Sequence, residues 1–149
     1  MFAWPVNAMH VFCVALRIME PTLMIKTRSH GKENTEYVFE AADPDGILIR
    51  LTRCRWERHI AVRHPEVENH ADVRKVIEKP QLIIIDQDDE TEHHFYARGL
   101  LPYPELYLHV PVVYRGSHGK QIAEVKTAHF VRTIAEGRIR WVNILTSLL

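Results

Sequence analysis

The chain has 149 residues, of which 46% are hydrophobic and 26% charged, and its formal net charge is zero. These values fit one globular domain with its own core and argue against a disordered or fibrous protein. A neutral chain also lacks the overall basic excess that is typical of nucleic-acid binders. The two cysteines, Cys13 and Cys54, have no disulfide-type or CxxC spacing, so we expect a reducing compartment, the cytoplasm.

Residues 1–35 are predicted to be an appended, poorly ordered segment ahead of a domain that spans 36–149. The apolar run over 9–19 is too short to cross a bilayer and lacks the features of a signal peptide, so no membrane association is expected. A genuine N-terminal helix is the alternative interpretation. The polar, turn-prone stretch over 29–35 separates the two parts.

The domain is predicted to begin with a β-hairpin followed by two short helices. The hairpin turns at Asp43-Pro-Asp-Gly46, because proline presets φ and glycine accepts a positive φ. Thr52 can cap a helix over 53–63, which ends before Pro65. Asn69 can cap a second helix over about 70–78, and Pro80 stops it.

Strands are predicted for the rest of the chain. Apolar and β-branched runs indicate strands at 82–86, 94–98, 106–114 and 121–126, and a last hairpin of 128–134 with 138–144. Short turns between consecutive strands favour antiparallel pairing. The predicted fold class is therefore α+β: two short helices packed on a mainly antiparallel sheet of about four to five strands, with an N-terminal hairpin.

Charge is distributed unevenly along this neutral chain. Five arginines and one acid lie between Arg50 and Arg63, whereas five acids and no base lie between Asp86 and Glu92. If the fold separates these stretches, one face is cationic. Scattered, solvated charge is the alternative.

Ten histidines in this length suggest acid–base chemistry, because imidazole gives and takes protons near neutral pH. On the first predicted helix, His59 and Arg63 share a face, Trp56 borders it, and His64 lies at the helix end. RNA can be cleaved without a metal by a base, an acid and cations that hold the phosphate charge. The alternative is that His59 packs on Trp56 and Arg63 pairs with a carboxylate.

A second group of candidate residues lies on the strands. In Lys126-Thr-Ala-His129, the Thr127 and His129 side chains share one face and Lys126 adds a cation. A polar edge of the sheet is the simpler interpretation of this cluster. One aromatic and three basic side chains are predicted to make further contacts with the substrate: Tyr96, Arg98, Arg115 and Lys120.

A zinc site is disfavoured by the histidine spacing. Cys54, His59 and His64 are five residues apart, which on an α-helix turns each side chain by about 140° from the one before. They therefore cannot converge on one metal. No nucleotide-binding glycine loop is present either, so no cofactor is expected.

Four stretches carry a family resemblance: Gly46-Ile-Leu-Ile-Arg-Leu-Thr52, Trp56-x-x-His-Ile-x-x-Arg-His-Pro-Glu66, an apolar helix ending in Lys-Pro80, and strands closing on Lys-Thr-Ala-His129. Together they resemble the phage-associated branch of the barnase–EndoU–colicin–RelE-like (BECR) nuclease superfamily. The likeness covers about residues 37–141, and the stretch from His59 to Glu66 is its most specific part.

The resemblance implies helices on a four-stranded antiparallel sheet and metal-independent cleavage of RNA. Such domains often act as toxins, in toxin–antitoxin pairs or in phage-associated systems, so an antitoxin protein is an implied partner. His59 and Thr127 match active-site positions of the family. Geometry adds four further candidates for the site: Arg63, His64, Lys126 and His129. A non-catalytic RNA-binding or protein-interaction module on the same scaffold is the alternative, which the neutral net charge favours.

Overall fold

The structure, a computed structural model, describes residues 36–117 and 120–144, without the side chains of Ser117 and Lys120. The predicted appended segment, 1–35, lies outside these residues and stays a prediction. Within the described part of the chain, no helix is long and apolar enough to cross a membrane.

Eight strands and two helical segments form the described chain. The strands are β1 Tyr37–Ala42, β2 Leu48–Thr52, β3 Leu82–Asp86, β4 Glu92–Ala97, β5 Tyr107–Ser117, β6 Lys120–Val125, β7 His129–Val131 and β8 Gly137–Val142. Helix α1 is continuous and consists of Arg53–Arg55, a π-helical turn Trp56–Ile60, and Ala61–Arg63. Helix α2 is His70–Glu78.

All eight strands belong to one mixed sheet. Its order is β1-β2-β6-β5-β4-β3-β8, and β7 pairs with β5 beside this path. The β2–β6 pair is parallel and the other pairs are antiparallel. Strand β5 is 11 residues long, so one of its edges has room for both β6 and β7.

The predicted architecture of two helices on a sheet of four to five strands is therefore wrong, and the protein is richer in strands. The predicted last hairpin does not form, because β7 pairs with β5 while β8 pairs with β3 at the opposite edge of the sheet. Local turn signals identify strands, but they do not show which distant strand each one will join. The parallel β2–β6 pair is a contact of this kind.

Side-chain caps start both helices as predicted. The Thr52 hydroxyl accepts a hydrogen bond from the backbone N–H of Arg55 at 3.1 Å, and the Asn69 side chain accepts one from Ala71 at 2.8 Å. Helix α2 then buries an apolar stripe, and the core joins it to Ile60 of α1 and to apolar residues of the strands. The helix stripe consists of Val73, Val76 and Ile77.

A buried ion pair ties the first hairpin to the last strand. The Asp43 carboxylate in the β1–β2 turn is fully buried and accepts hydrogen bonds from Arg140 of β8 and from the Tyr114 hydroxyl, both at 2.8 Å. Arg140 also contacts Asp45 and donates to Tyr114. This network holds together segments nearly 100 positions apart in the chain.

Gly137 lets β8 approach β3 closely. Its φ is +157°, and a Cβ atom there would lie 2.2 Å from the carbonyl oxygen of Ile85. Gly137 pairs with Asp86, the last residue of β3. A side chain at this position would push β8 away from the strand end that holds the Asp86 carboxylate.

Candidate functional site

Three imidazole rings meet where the end of α1 reaches strand β7. The rings of His64 and His129 stack with centroids 5.0 Å apart and planes at 25°, and the His59 ring lies 6.4 Å from His64. Each of the three residues is half-buried. We call His59, His64 and His129 the histidine cluster.

The π-helical turn explains why His59 and His64 come together. The backbone N–H of Ala61 bonds to the carbonyl of Trp56, five residues back, so this turn holds one residue more than an α-helical turn. His64 itself leaves the helix, with φ −131° and ψ 61°, ahead of Pro65. The prediction from histidine spacing assumed an unbroken α-helix over these residues, and the structure departs from one at the π-helical turn and at His64.

His129 reaches the cluster through strand pairing. In the β5–β7 register His109 lies directly opposite His129, and in the β4–β5 register Tyr96 lies opposite His109. Directly paired residues project from the same face of a sheet, so the three side chains form one row across it. His94, two residues before Tyr96 on β4, projects from the same face.

A line of hydrogen bonds extends from the cluster through this row. Oδ2 of Asp86 lies 2.9 Å from Nε2 of His94, and Nδ1 of His94 lies 2.9 Å from Nε2 of His109. Nδ1 of His109 is 3.4 Å from Nε2 of His129. We call these four residues the imidazole line. Its middle is shielded from water, because His94 and His109 are buried.

Tyr96 holds the centre of the line in place. Its ring stacks on His109 with centroids 4.6 Å apart and planes at 5°. The Tyr96 hydroxyl accepts a hydrogen bond from the backbone N–H of Ala135, in the loop between β7 and β8. Tyr96 is 1% exposed, so its ring supports His109 and leaves almost no surface for the substrate contact that was predicted.

The environment favours the neutral form of most of these imidazoles. Burial, followed by the charges of Arg55, Arg63 and His64, lowers the pKa of His59. Burial lowers the pKa of His109 to about 3, and burial with the neighbouring His64 lowers the pKa of His129.

At the other end of the imidazole line the carboxylate stays ionised. The hydrogen bond from His94, with those from two backbone N–H groups, lowers the pKa of Asp86 to about 2. The line therefore ends in a group that only accepts hydrogen bonds at neutral pH.

Folding stability is expected to fall by about 2 kcal/mol between pH 7 and pH 5 from His109 alone. The unfolded chain, with a histidine pKa near 6.5, binds the proton more tightly than the folded chain, with a pKa of about 3. This stability is present above pH 6.5 and is lost as the pH falls toward 3. Urea unfolding at both pH values measures it, and the dependence should shrink in His109→Gln. An equal pH dependence in wild type and variant would contradict the expectation.

The structure brings together part of the predicted site. Arg63 is exposed and lies close enough to His59 to lower its pKa. Thr127 lies two residues before His129, and its hydroxyl oxygen is buried without a hydrogen-bond partner among the described residues. Lys126 is instead bound to Glu92, with 2.6 Å between Nζ and Oε2, which neutralises the expected cation.

The other predicted contacts are spread over the molecule. Trp56 is half-buried with its ring edge against His70, and the Arg98 guanidinium lies 3.9 Å from the ring centroid of Tyr107. Arg115 is exposed on β5. The side chain of Lys120 lies outside the described part of the molecule.

Sequence reasoning missed three residues of the imidazole line, namely Asp86, His94 and His109. One signal was available, since His109 interrupts an otherwise apolar strand and a buried polar residue needs a partner. Among the described residues, no group of three or more His, Cys, Asp or Glu side chains could hold a metal ion. No family model, no curated protein and no solved structure matches the chain.

Proposed function

We propose that this protein is a metal-independent endoribonuclease whose active site is the histidine cluster. The observation that carries the proposal is the meeting of three half-buried imidazoles, from a helix end and a distant strand, beside exposed arginines. The resemblance to BECR nucleases points to the same chemistry and to RNA as the substrate.

The cluster can supply both proton transfers of the reaction. His59, with its lowered pKa, is neutral at pH 7 and takes the proton of the ribose 2′-hydroxyl. The 2′-oxygen attacks phosphorus and the bond to the 5′-oxygen breaks, which leaves a 2′,3′-cyclic phosphate. His64, whose Nδ1 lies 3.4 Å from the Glu66 carboxylate, gives its proton to the departing 5′-oxygen.

Arginines next to the histidine cluster would bind the phosphate of the RNA. Arg55 and Arg63 both lie near enough to His59 to lower its pKa, and both are exposed. A guanidinium fork matches two phosphate oxygens and stabilises the charge that builds up in the transition state. The family resemblance suggests a toxin role, in which an acidic antitoxin would fit the cationic surface at Arg55 and Arg63. The cysteine usage supports the cytoplasm as its compartment.

A non-catalytic RNA-binding or protein-interaction module is the second candidate. It is favoured by the zero net charge and by the ion pair that neutralises Lys126. In this case the histidine cluster would contact a partner without transferring protons.

RNA cleavage in EDTA tests the proposal. The purified protein is expected to cut RNA and leave 2′,3′-cyclic phosphate ends. A His59→Ala/His64→Ala variant purified in parallel measures contaminating ribonuclease and should be inactive. Equal cleavage by the double variant, or cleavage that stops in EDTA, would contradict the proposal. RNA binding without any cleavage would favour the second candidate.

A further inference from the structure

When its three imidazoles are all neutral, the imidazole line has only two consistent arrangements of its protons. A neutral imidazole carries one ring proton, so it donates from one nitrogen and accepts at the other. His109 bonds to His94 on one side and to His129 on the other, and burial keeps it neutral. If one ring of the line reverses its proton, the neighbouring rings must reverse as well.

Asp86 selects between these arrangements, because a carboxylate can only accept a hydrogen bond. His94 must then donate from Nε2 to Asp86, which makes its Nδ1 the acceptor for the Nε2 proton of His109. Nδ1 of His109 in turn accepts the Nε2 proton of His129. This assignment leaves a lone pair on Nδ1 of His129.

Nδ1 of His129 is also the atom that lacks a partner. It is buried and makes no hydrogen bond with the described residues, and the same holds for the Thr127 hydroxyl oxygen two residues earlier. An unpaired buried acceptor is costly, so a ligand that displaces a neighbouring side chain and brings a donor to this atom would be favoured. The hydroxyl groups of ribose are such donors, whereas phosphate oxygens are acceptors.

We propose that Asp86 is a positioning residue that, through His94 and His109, holds His129 in the tautomer whose Nδ1 accepts a hydrogen bond from a substrate hydroxyl. The catalytic meaning of this inference rests on the proposed ribonuclease function. The tautomer itself follows from the contacts of the imidazole line when its three imidazoles are neutral.

The Asp86→Asn variant tests this directly, because the structure determines how the amide would sit. Oδ1 of Asp86 accepts hydrogen bonds from the backbone N–H groups of Asp88 and Asp89, at 2.8 and 3.0 Å. An asparagine would keep its carbonyl oxygen there and turn its NH₂ group toward His94. His94 would become the acceptor, the whole line would reverse, and Nδ1 of His129 would carry a proton.

The measurement is long-range ¹H–¹⁵N correlation on histidine-labelled protein at pH 8, with His129 assigned from the spectrum of His129→Gln. We expect His129 protonated at Nε2 in the wild type and at Nδ1 in Asp86→Asn. RNA cleavage by Asp86→Asn should fall about 10- to 100-fold, the effect of losing one hydrogen bond at the reacting groups. Asp88→Asn, which makes the same charge change two residues further along the chain, should change neither.

Wild-type His129 protonated at Nδ1 would overturn the inference, and this result needs no variant to fold. An unchanged His129 tautomer in folded Asp86→Asn would overturn it as well. If the tautomer reverses as expected but the wild-type protein does not cleave RNA, the positioning by Asp86 stands and the proposed function fails.

Discussion

RNA cleavage by a His59→Ala variant is expected to fall about 10²- to 10⁴-fold, the contribution of a positioned proton carrier. His59 is half-buried, its ring lies 6.4 Å from His64, and its lowered pKa keeps it neutral at pH 7. Alanine removes the base but leaves His64, His129 and the arginines in place. Initial cleavage rates in EDTA, compared with the wild type at equal protein concentration, measure the effect.

His70→Ala is the matched control for this experiment. It removes an exposed histidine at the start of α2, outside the histidine cluster, and its activity should stay near that of the wild type. Unfolding in urea shows whether each variant keeps its fold. Undiminished cleavage by a folded His59→Ala protein would refute the assignment of His59.

Replacing Arg140 with methionine is expected to lower the free energy of unfolding by about 3–5 kcal/mol. Arg140 is the cation for the Asp43 carboxylate, and the exposed fractions of their side chains are 13% and 0%. Methionine would leave that carboxylate buried with only the Tyr114 hydroxyl and two backbone N–H groups as partners. Urea-unfolding curves at pH 7 measure the difference.

Two comparison variants show whether the buried charge is the cause. Arg138→Met removes an exposed arginine from the same strand and should cost little. Adding Asp43→Asn to Arg140→Met removes the stranded charge and should recover part of the loss, because the amide oxygen still accepts the backbone bonds. A loss below 1 kcal/mol in Arg140→Met would show that the network contributes little.

Local signals predicted several elements well. The Asp43-Pro-Asp-Gly46 turn, the caps Thr52 and Asn69, and the stop at Pro65 all act over a few residues, and the structure has each of them. The histidines of α1 were also identified as candidates. Their arrangement was not, because the helix contains a π-helical turn and His64 lies beyond its end.

The eight-stranded sheet could not be predicted from the same signals. Strand β7 follows β6 closely, yet its partner is β5, and β8 crosses to β3 at the far edge. The pairing partner of a strand depends on how the whole sheet packs, and the sequence of a short strand carries little information about which distant strand it will join. The burial of Tyr96 was missed for the same reason, since only the fold places it beside His109 and within hydrogen-bond distance of the backbone N–H of Ala135.

The sequence by itself determined the turns and the helix caps, because these depend on neighbours along the chain. It also determined which imidazole and guanidinium groups are present. Only the tertiary structure decided that His129 stacks on His64 and that Asp86 is joined to His129 through the buried His94 and His109. The contacts link residues that are up to 65 positions apart. Strand register places Tyr96, His109 and His129 in one row, and the end of α1 brings His64 to that row.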